Sequence, residues 1–111
     1  MRQVEWGDTE FIVYTCQAKV DDVWTNVTPD NVYAVSESYA TKPVFIENLS
    51  CETDETGIYV VKFFADKTKY NPKTVYYVTL YWHYNDVQKC ERVPVSVKSD
   101  VRAWLPYLII I

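Results

Sequence analysis

The chain has 111 residues, of which 49% are hydrophobic and 23% charged, a balance that fits one folded domain and excludes a disordered chain. Its formal net charge of −4, with acids and bases interspersed, leaves no basic stripe and argues against a nucleic-acid partner. Aromatics reach 16%, with ten Tyr and four Trp, residues that fit pleated half-buried surfaces and protein interfaces.

In chain order, MRQVEWGDTEF carries charges from its first residues and no apolar signal-peptide core, so the expected site of synthesis is a reducing cytoplasm. Glu10 to Val20 then alternates, with Ile12, Tyr14, Cys16, Ala18 and Val20 on one face. Asp21-Asp22 and Pro29-Asp30-Asn31 are turn chemistry, and Val32 to Ser36 reads as the next strand. A polar break over Ser38 to Pro43 leads to Val44-Phe45-Ile46 and then Leu49 to Glu52. Thr53 to Gly57 reads as a turn, with Gly57 supplying a backbone conformation that a β-carbon disfavours.

The strand after that turn places Tyr59, Val61 and Phe63 on one face and Ile58, Val60, Lys62 and Phe64 on the other. The lone charge marks the second face as outward, so the first is expected in the core. Asp66 to Lys73 is a polar loop. Val75 to Tyr84 is a long apolar strand whose inward set is Val78, Leu80 and Trp82. Asn85-Asp86 signals a tight hairpin, and the return strand Val87 to Val97 points Val93, Val95 and Val97 one way. Pro94 cannot donate to a ladder, so its amide side is expected at an edge or a bulge. About seven short strands separated by turns predict an all-β fold, an antiparallel sandwich with a closed small barrel as the alternative.

Several of these stretches resemble immunoglobulin-like modules. WGDTEFIVY and VTPDNVYAVS are similar to their early strands, TGIYVVKFF to their Gly-x-Tyr-x-x-x-Phe strand, and TVYYVTLYWHYNDVQKCERVPVSV to their last hairpin. The resemblance covers about residues 5–98 and implies a single sandwich, taken as residues 1–98, while residues 99–111 read as an apolar docking tail. Cys16, Cys51 and Cys90 depart from the Cys…Trp…Cys spacing of antibody domains, so no inter-sheet disulfide is expected. Modules of this kind occur in surface proteins and in tailed-bacteriophage virions.

No catalytic constellation emerges from the residues. His83 is the single histidine, and Asp86 lies across a turn from it, so a partly exposed strand histidine is the expectation. The three cysteines lie on separate predicted strands without the close pairing zinc prefers, and are expected as buried thiols. Glu52, Asp54 and Glu55 share one predicted turn but do not match a calcium loop. The two glycines form no phosphate-binding loop. No enzymatic activity, metal or cofactor is expected.

The sequence SDVRAWLPYLIII closes the chain and is too short and too interrupted by Pro106 to span a bilayer. It is expected to fold back on its own core or to dock on a neighbour. The candidate contact residues are Trp104, Leu105, Tyr107, Leu108, Ile109, Ile110 and Ile111, with the Tyr77/Tyr81 face as a second surface. The expectation is a non-enzymatic virion structural protein, a capsid decoration or cement subunit. Its partners would be other virion proteins, a major capsid or tail protein, and further copies of itself, with neither nucleic acid nor membrane. The alternative is a ligand- or glycan-binding adhesion module.

Overall fold

The structure is a computed structural model, and it describes residues 1–39 and 41–99. All ten regular elements among those residues are strands. In chain order they are β1 (Arg2–Glu5), β2 (Thr9–Thr15), β3 (Gln17–Val20), β4 (Val23–Asn26), β5 (Asn31–Tyr39), β6 (Pro43–Leu49), β7 (Cys51–Glu55), β8 (Ile58–Phe64), β9 (Val75–Tyr84) and β10 (Val87–Lys98). One sheet has the order β1-β10-β9-β5-β6 and a second the order β2-β8-β7, while β3 and β4 form a separate hairpin. Every pairing is antiparallel except β1 with β10, which is parallel.

The alternation read from the sequence fixes which faces meet. Ile12, Tyr14, Tyr59, Val61 and Phe63 of the smaller sheet share one continuous apolar cluster with Ala34, Tyr76, Val78, Leu80, Trp82, Val95 and Val97 of the larger one. The arrangement is therefore sandwich-like, two layers over one interior, rather than a single closed barrel. Each fully buried aliphatic or Phe side chain in it contributes about 1.5–3 kcal/mol relative to exposure. The Tyr14 hydroxyl crosses the interior and donates to the Val78 carbonyl at 2.5 Å, tying β2 to β9. Burial pushes the Tyr14 phenol well above the ordinary tyrosine range.

Two expectations need correction, and two strands add to those expected. The single strand Glu10 to Val20 keeps its face as far as Ala18 but changes partner at Cys16, whose amide bonds Gly57 while its carbonyl accepts from Val27. Val20 is exposed at the end of β3, a strand that pairs with β4. Residues 23–26 form a further strand, β4: Asp21 and Asp22 both adopt positive φ, 51° and 63°, the geometry of a two-residue hairpin turn. Likewise Arg2–Glu5 is a strand, held on β10 in parallel register with Arg2 opposite Val95. Glu52, Asp54 and Glu55 lie in β7, with their turn confined to Thr56-Gly57.

The 66–73 loop is irregular as expected, yet it carries a core residue. Tyr70 is fully buried, edge-on to Phe63 and Tyr76 at centroid distances of 4.8 and 4.9 Å. Its hydroxyl meets Ser36 Oγ at 2.6 Å and donates to Glu47 Oε2 at 2.5 Å, while its carbonyl accepts the Trp6 indole N–H at 2.8 Å. The Tyr70 side chain thus pins the loop to β5 and β6, and its main-chain carbonyl ties it to Trp6 just after β1.

Gly57 has φ +76°, and a β-carbon there would sit 2.9 Å from the Cys16 carbonyl oxygen and 3.0 Å from that of Val27. Glycine is needed twice over, for its conformation and for the close passage of three backbone segments. The second hairpin turn, Asn85-Asp86, also has positive φ at both residues. Pro94 falls just before Val95, where β1 begins to cover β10, so among the described residues that side of the strand is still an open edge.

Candidate interaction surface

The cross-strand register builds a surface on the side of the larger sheet away from the core. Tyr33, Val35 and Glu37 of β5 stand opposite Tyr81, Thr79 and Tyr77 of β9, and these in turn oppose Cys90, Arg92 and Pro94 of β10. Val35 and Thr79 are buried there although neither belongs to the interior cluster. In this register Thr79 is boxed by Val35 and Arg92 across the sheet and by Tyr77 and Tyr81 along its own strand.

Glu37 organises this face. It is 6% exposed, and a buried carboxylate must be paired and hydrogen-bonded to be tolerated. Tyr81 donates to its Oε1 at 2.6 Å and Thr79 to its Oε2 at 3.0 Å, with Arg92 Nε 3.6 Å from Oε2. Arg92 also donates to the Tyr81 hydroxyl at 3.2 Å, and Tyr81 stacks on Tyr33 with ring centroids 5.2 Å apart. Burial and then the bond to Glu37 raise the Tyr81 phenol above its ordinary value. The result is an aromatic and charged plate held together by hydrogen bonds, an ion pair and ring stacking.

Of the sequence-predicted contact residues, Tyr77 and Tyr81 share this face, both half-buried. Trp104, Leu105, Tyr107, Leu108, Ile109, Ile110 and Ile111 lie outside the described residues. What sequence reasoning missed is Glu37, which sits in a stretch that offered no alternation signal, since Ser36 and Glu37 are both buried, on opposite faces. The pairing of β5 with β6 shifts register between Ser36 and Glu37, while that with β9 runs unbroken through both.

The smaller sheet turns a different surface outward. Phe11, Val13 and Phe64 are exposed there, with Val13 opposite Val60, Phe11 opposite Lys62 and Thr9 opposite Phe64. At the β3–β4 hairpin Trp24 is 59% exposed, with the Lys19 and Lys89 ammonium groups 5.6 and 6.0 Å from its ring centroid.

The remaining candidates stay apart. The expectation of three buried thiols holds for Cys16 alone: Cys51 is half-buried at the edge strand β7, and Cys90 is exposed on β10 with the Arg92 guanidinium 3.4 Å away. Burial pushes the Cys16 thiol up to about 11. His83 is half-buried in β9, and its Nδ1, like Trp82 Nε1, has no hydrogen-bond partner among the described residues. Glu52, Asp54 and Glu55 are solvent-exposed, and among the described residues no three metal-ligating side chains converge. Comparison with protein-family models and with curated proteins finds no match to the chain.

Proposed function

We propose that the chain is an immunoglobulin-like module serving as a non-enzymatic structural subunit of a tailed-bacteriophage virion, a decoration or cement protein that attaches through its outer surfaces. For the fold, the strand orders support the reading: β10-β9-β5-β6 parallels the G-F-C-C′ order of variable-type immunoglobulin sheets, and β2-β8-β7 parallels B-E-D. Tyr76, near the start of β9, accepts a bond from the Asn71 amide five residues upstream at 2.7 Å, as the tyrosine of an immunoglobulin corner bonds back to nearby backbone. The departures are the absent B–F disulfide, with the Tyr14–Val78 bond tying the layers instead, and a buried Trp82 on β9 rather than on β5.

For the function, the observation that carries the reading is the spread of exposed apolar side chains over both layers, Phe11, Val13 and Phe64 on one and Val44 and Phe45 on the other. Surfaces of that kind mark protein contacts, and many weak copies on a lattice add by multivalency. Deleting residues 104–111 tests it: the truncated chain is expected to stay folded and to lose co-sedimentation with virions. Undiminished attachment to particles by the truncated chain refutes the tail's part in it. The adhesion alternative rests on the exposed Trp24 of the β3–β4 hairpin. Retention on immobilised glycans that disappears with Trp24→Ala would favour that alternative.

A further inference from the structure

The sheets expose several strand edges, and most carry a device that discourages pairing. β6 opens with Pro43 and follows an irregular register on β5. β7 is acidic and shifts register between Glu52 and Glu55. The part of β10 not covered by β1 presents Lys89, Glu91, Arg92 and Pro94. These are the usual protections of a sheet edge: proline, charge and irregularity.

β2 is different. It runs Thr9 to Thr15 in unbroken register on β8, without proline or bulge, and among the described residues no strand pairs with its far side. The direction of its backbone groups follows from the bonds that flank it. Ala65 donates to the Asp8 carbonyl, and the Cys16 amide donates to Gly57, so even-numbered residues address β8. The N–H and C=O groups of Thr9, Phe11, Val13 and Thr15 therefore point away from β8, into the open edge. Two of those four residues are among the exposed large apolar side chains: Phe11 is 58% and Val13 59% exposed.

We propose that β2 pairs with β2 of a second copy of this chain, antiparallel about a two-fold axis at Ile12, to make one continuous sheet β7-β8-β2-β2-β8-β7. Among two-fold registers, this is the one that engages all four outward-facing residues. It sets Thr9 opposite Thr15 and Phe11 opposite Val13, with each relation repeated by symmetry. The exposed aromatic and β-branched side chains then meet as cross-strand pairs, the unit that stabilises sheets. The outward-facing residues at the seam are uncharged, so two chains of net charge −4 meet there without like charges opposed. The one charge within β2, Glu10, is already paired with Arg2 at 2.8 Å. Arg2 also lies 3.4 Å from the Phe11 carbonyl and gives up that contact when the partner strand arrives.

This deepens the assembly reading by naming an edge and an occupant. Because it is measured on the purified chain with no particle present, it fails separately from that reading. The experiment is sedimentation velocity of the full chain up to about 1 mM, the range that weak, small interfaces require. The comparison set is Val13→Pro, Phe11→Lys and, on the other sheet, Phe45→Lys. Val13→Pro removes an amide that β8 does not use, and Phe11→Lys leaves the backbone untouched, so one of the pair remains informative if the other fails to fold. The wild type and Phe45→Lys are expected to shift towards dimer with concentration. Both β2 variants should remain monomeric, with melting temperatures within a few degrees of wild type. A wild type that stays monomeric throughout, β2 variants that associate like wild type, or association lost only with Phe45→Lys would each overturn the proposal.

Discussion

The two glycines offer a matched pair that tests how the turn between β7 and β8 is held. Both have positive φ, +89° at Gly7 and +76° at Gly57. Among the described residues a β-carbon at Gly7 meets nothing within 4 Å, whereas one at Gly57 sits against two buried carbonyl oxygens and Asn26 Cβ at 2.9–3.0 Å. Gly7→Ala therefore pays only the conformational term, about 1–2 kcal/mol for an alanine in that region. Gly57→Ala adds the displacement of packed backbone, about 1–3 kcal/mol further by analogy with overpacked cores. At roughly 4–8 °C per kcal/mol for a domain of this size, the Gly57 variant should melt at least about 4 °C below the Gly7 variant, with a larger gap expected. Urea unfolding of both variants, with the slope held common to wild type, measures the difference. Midpoints that coincide for the two alanine variants would refute the claim that three backbone segments close on Gly57.

Glu37→Ala strips partners from buried Thr79 and from Tyr81 and Arg92, which water can partly replace, so a loss of about 2–4 kcal/mol is expected in urea unfolding, and a loss below about 0.5 kcal/mol would remove the carboxylate from its organising role. Tyr70→Phe leaves the buried Ser36 hydroxyl without its partner and should cost about 1–3 kcal/mol with little change in the far-ultraviolet spectrum. For the thiols, Cys90 should react first with a disulfide reagent near neutral pH, Cys51 more slowly, and Cys16 only on unfolding. Cys16 is raised from 9.0 to about 11 in the folded chain, so its contribution to stability is complete below pH 9 and lost as pH rises towards 11; Tyr14 and Tyr70, also raised, act in the same sense at higher pH. Urea midpoints that rise between pH 9 and 11 would contradict that sign.

Much of the architecture could be read from alternation, because the residues that obey it face a single interior. Tyr59, Val61 and Phe63 on β8, and Val78, Leu80 and Trp82 on β9, take the side their pattern predicts. The pattern failed where burial has another cause. Tyr70 is buried from a polar loop by two phenol hydrogen bonds, a three-dimensional condition that no local period encodes. Glu37 looks like a surface charge until β9 and β10 bring Tyr81, Thr79 and Arg92 around it from more than forty residues away. β1 is four residues long and depends on the far end of the chain for its partner. The two-residue turn at Asp21-Asp22 was legible as turn chemistry, but the apolar Val23 and Trp24 of β4 are adjacent and both exposed, so no alternation marked the strand. The edge character of β2 was invisible because Phe11 and Val13 alternate as an inward face would, on the wrong side.

The account rests on two closed layers whose offer to partners is their outer surface, with β2 as the open edge. Residue-resolved hydrogen exchange reads both halves at once. In dilute solution the amides of Ile12, Tyr14, Val61 and Leu80 should be strongly protected while those of Phe11 and Val13 exchange freely, and the latter pair should gain protection as concentration rises. Rapid exchange at Val61 and Leu80, or protection of Phe11 and Val13 that is already complete at high dilution, would contradict it.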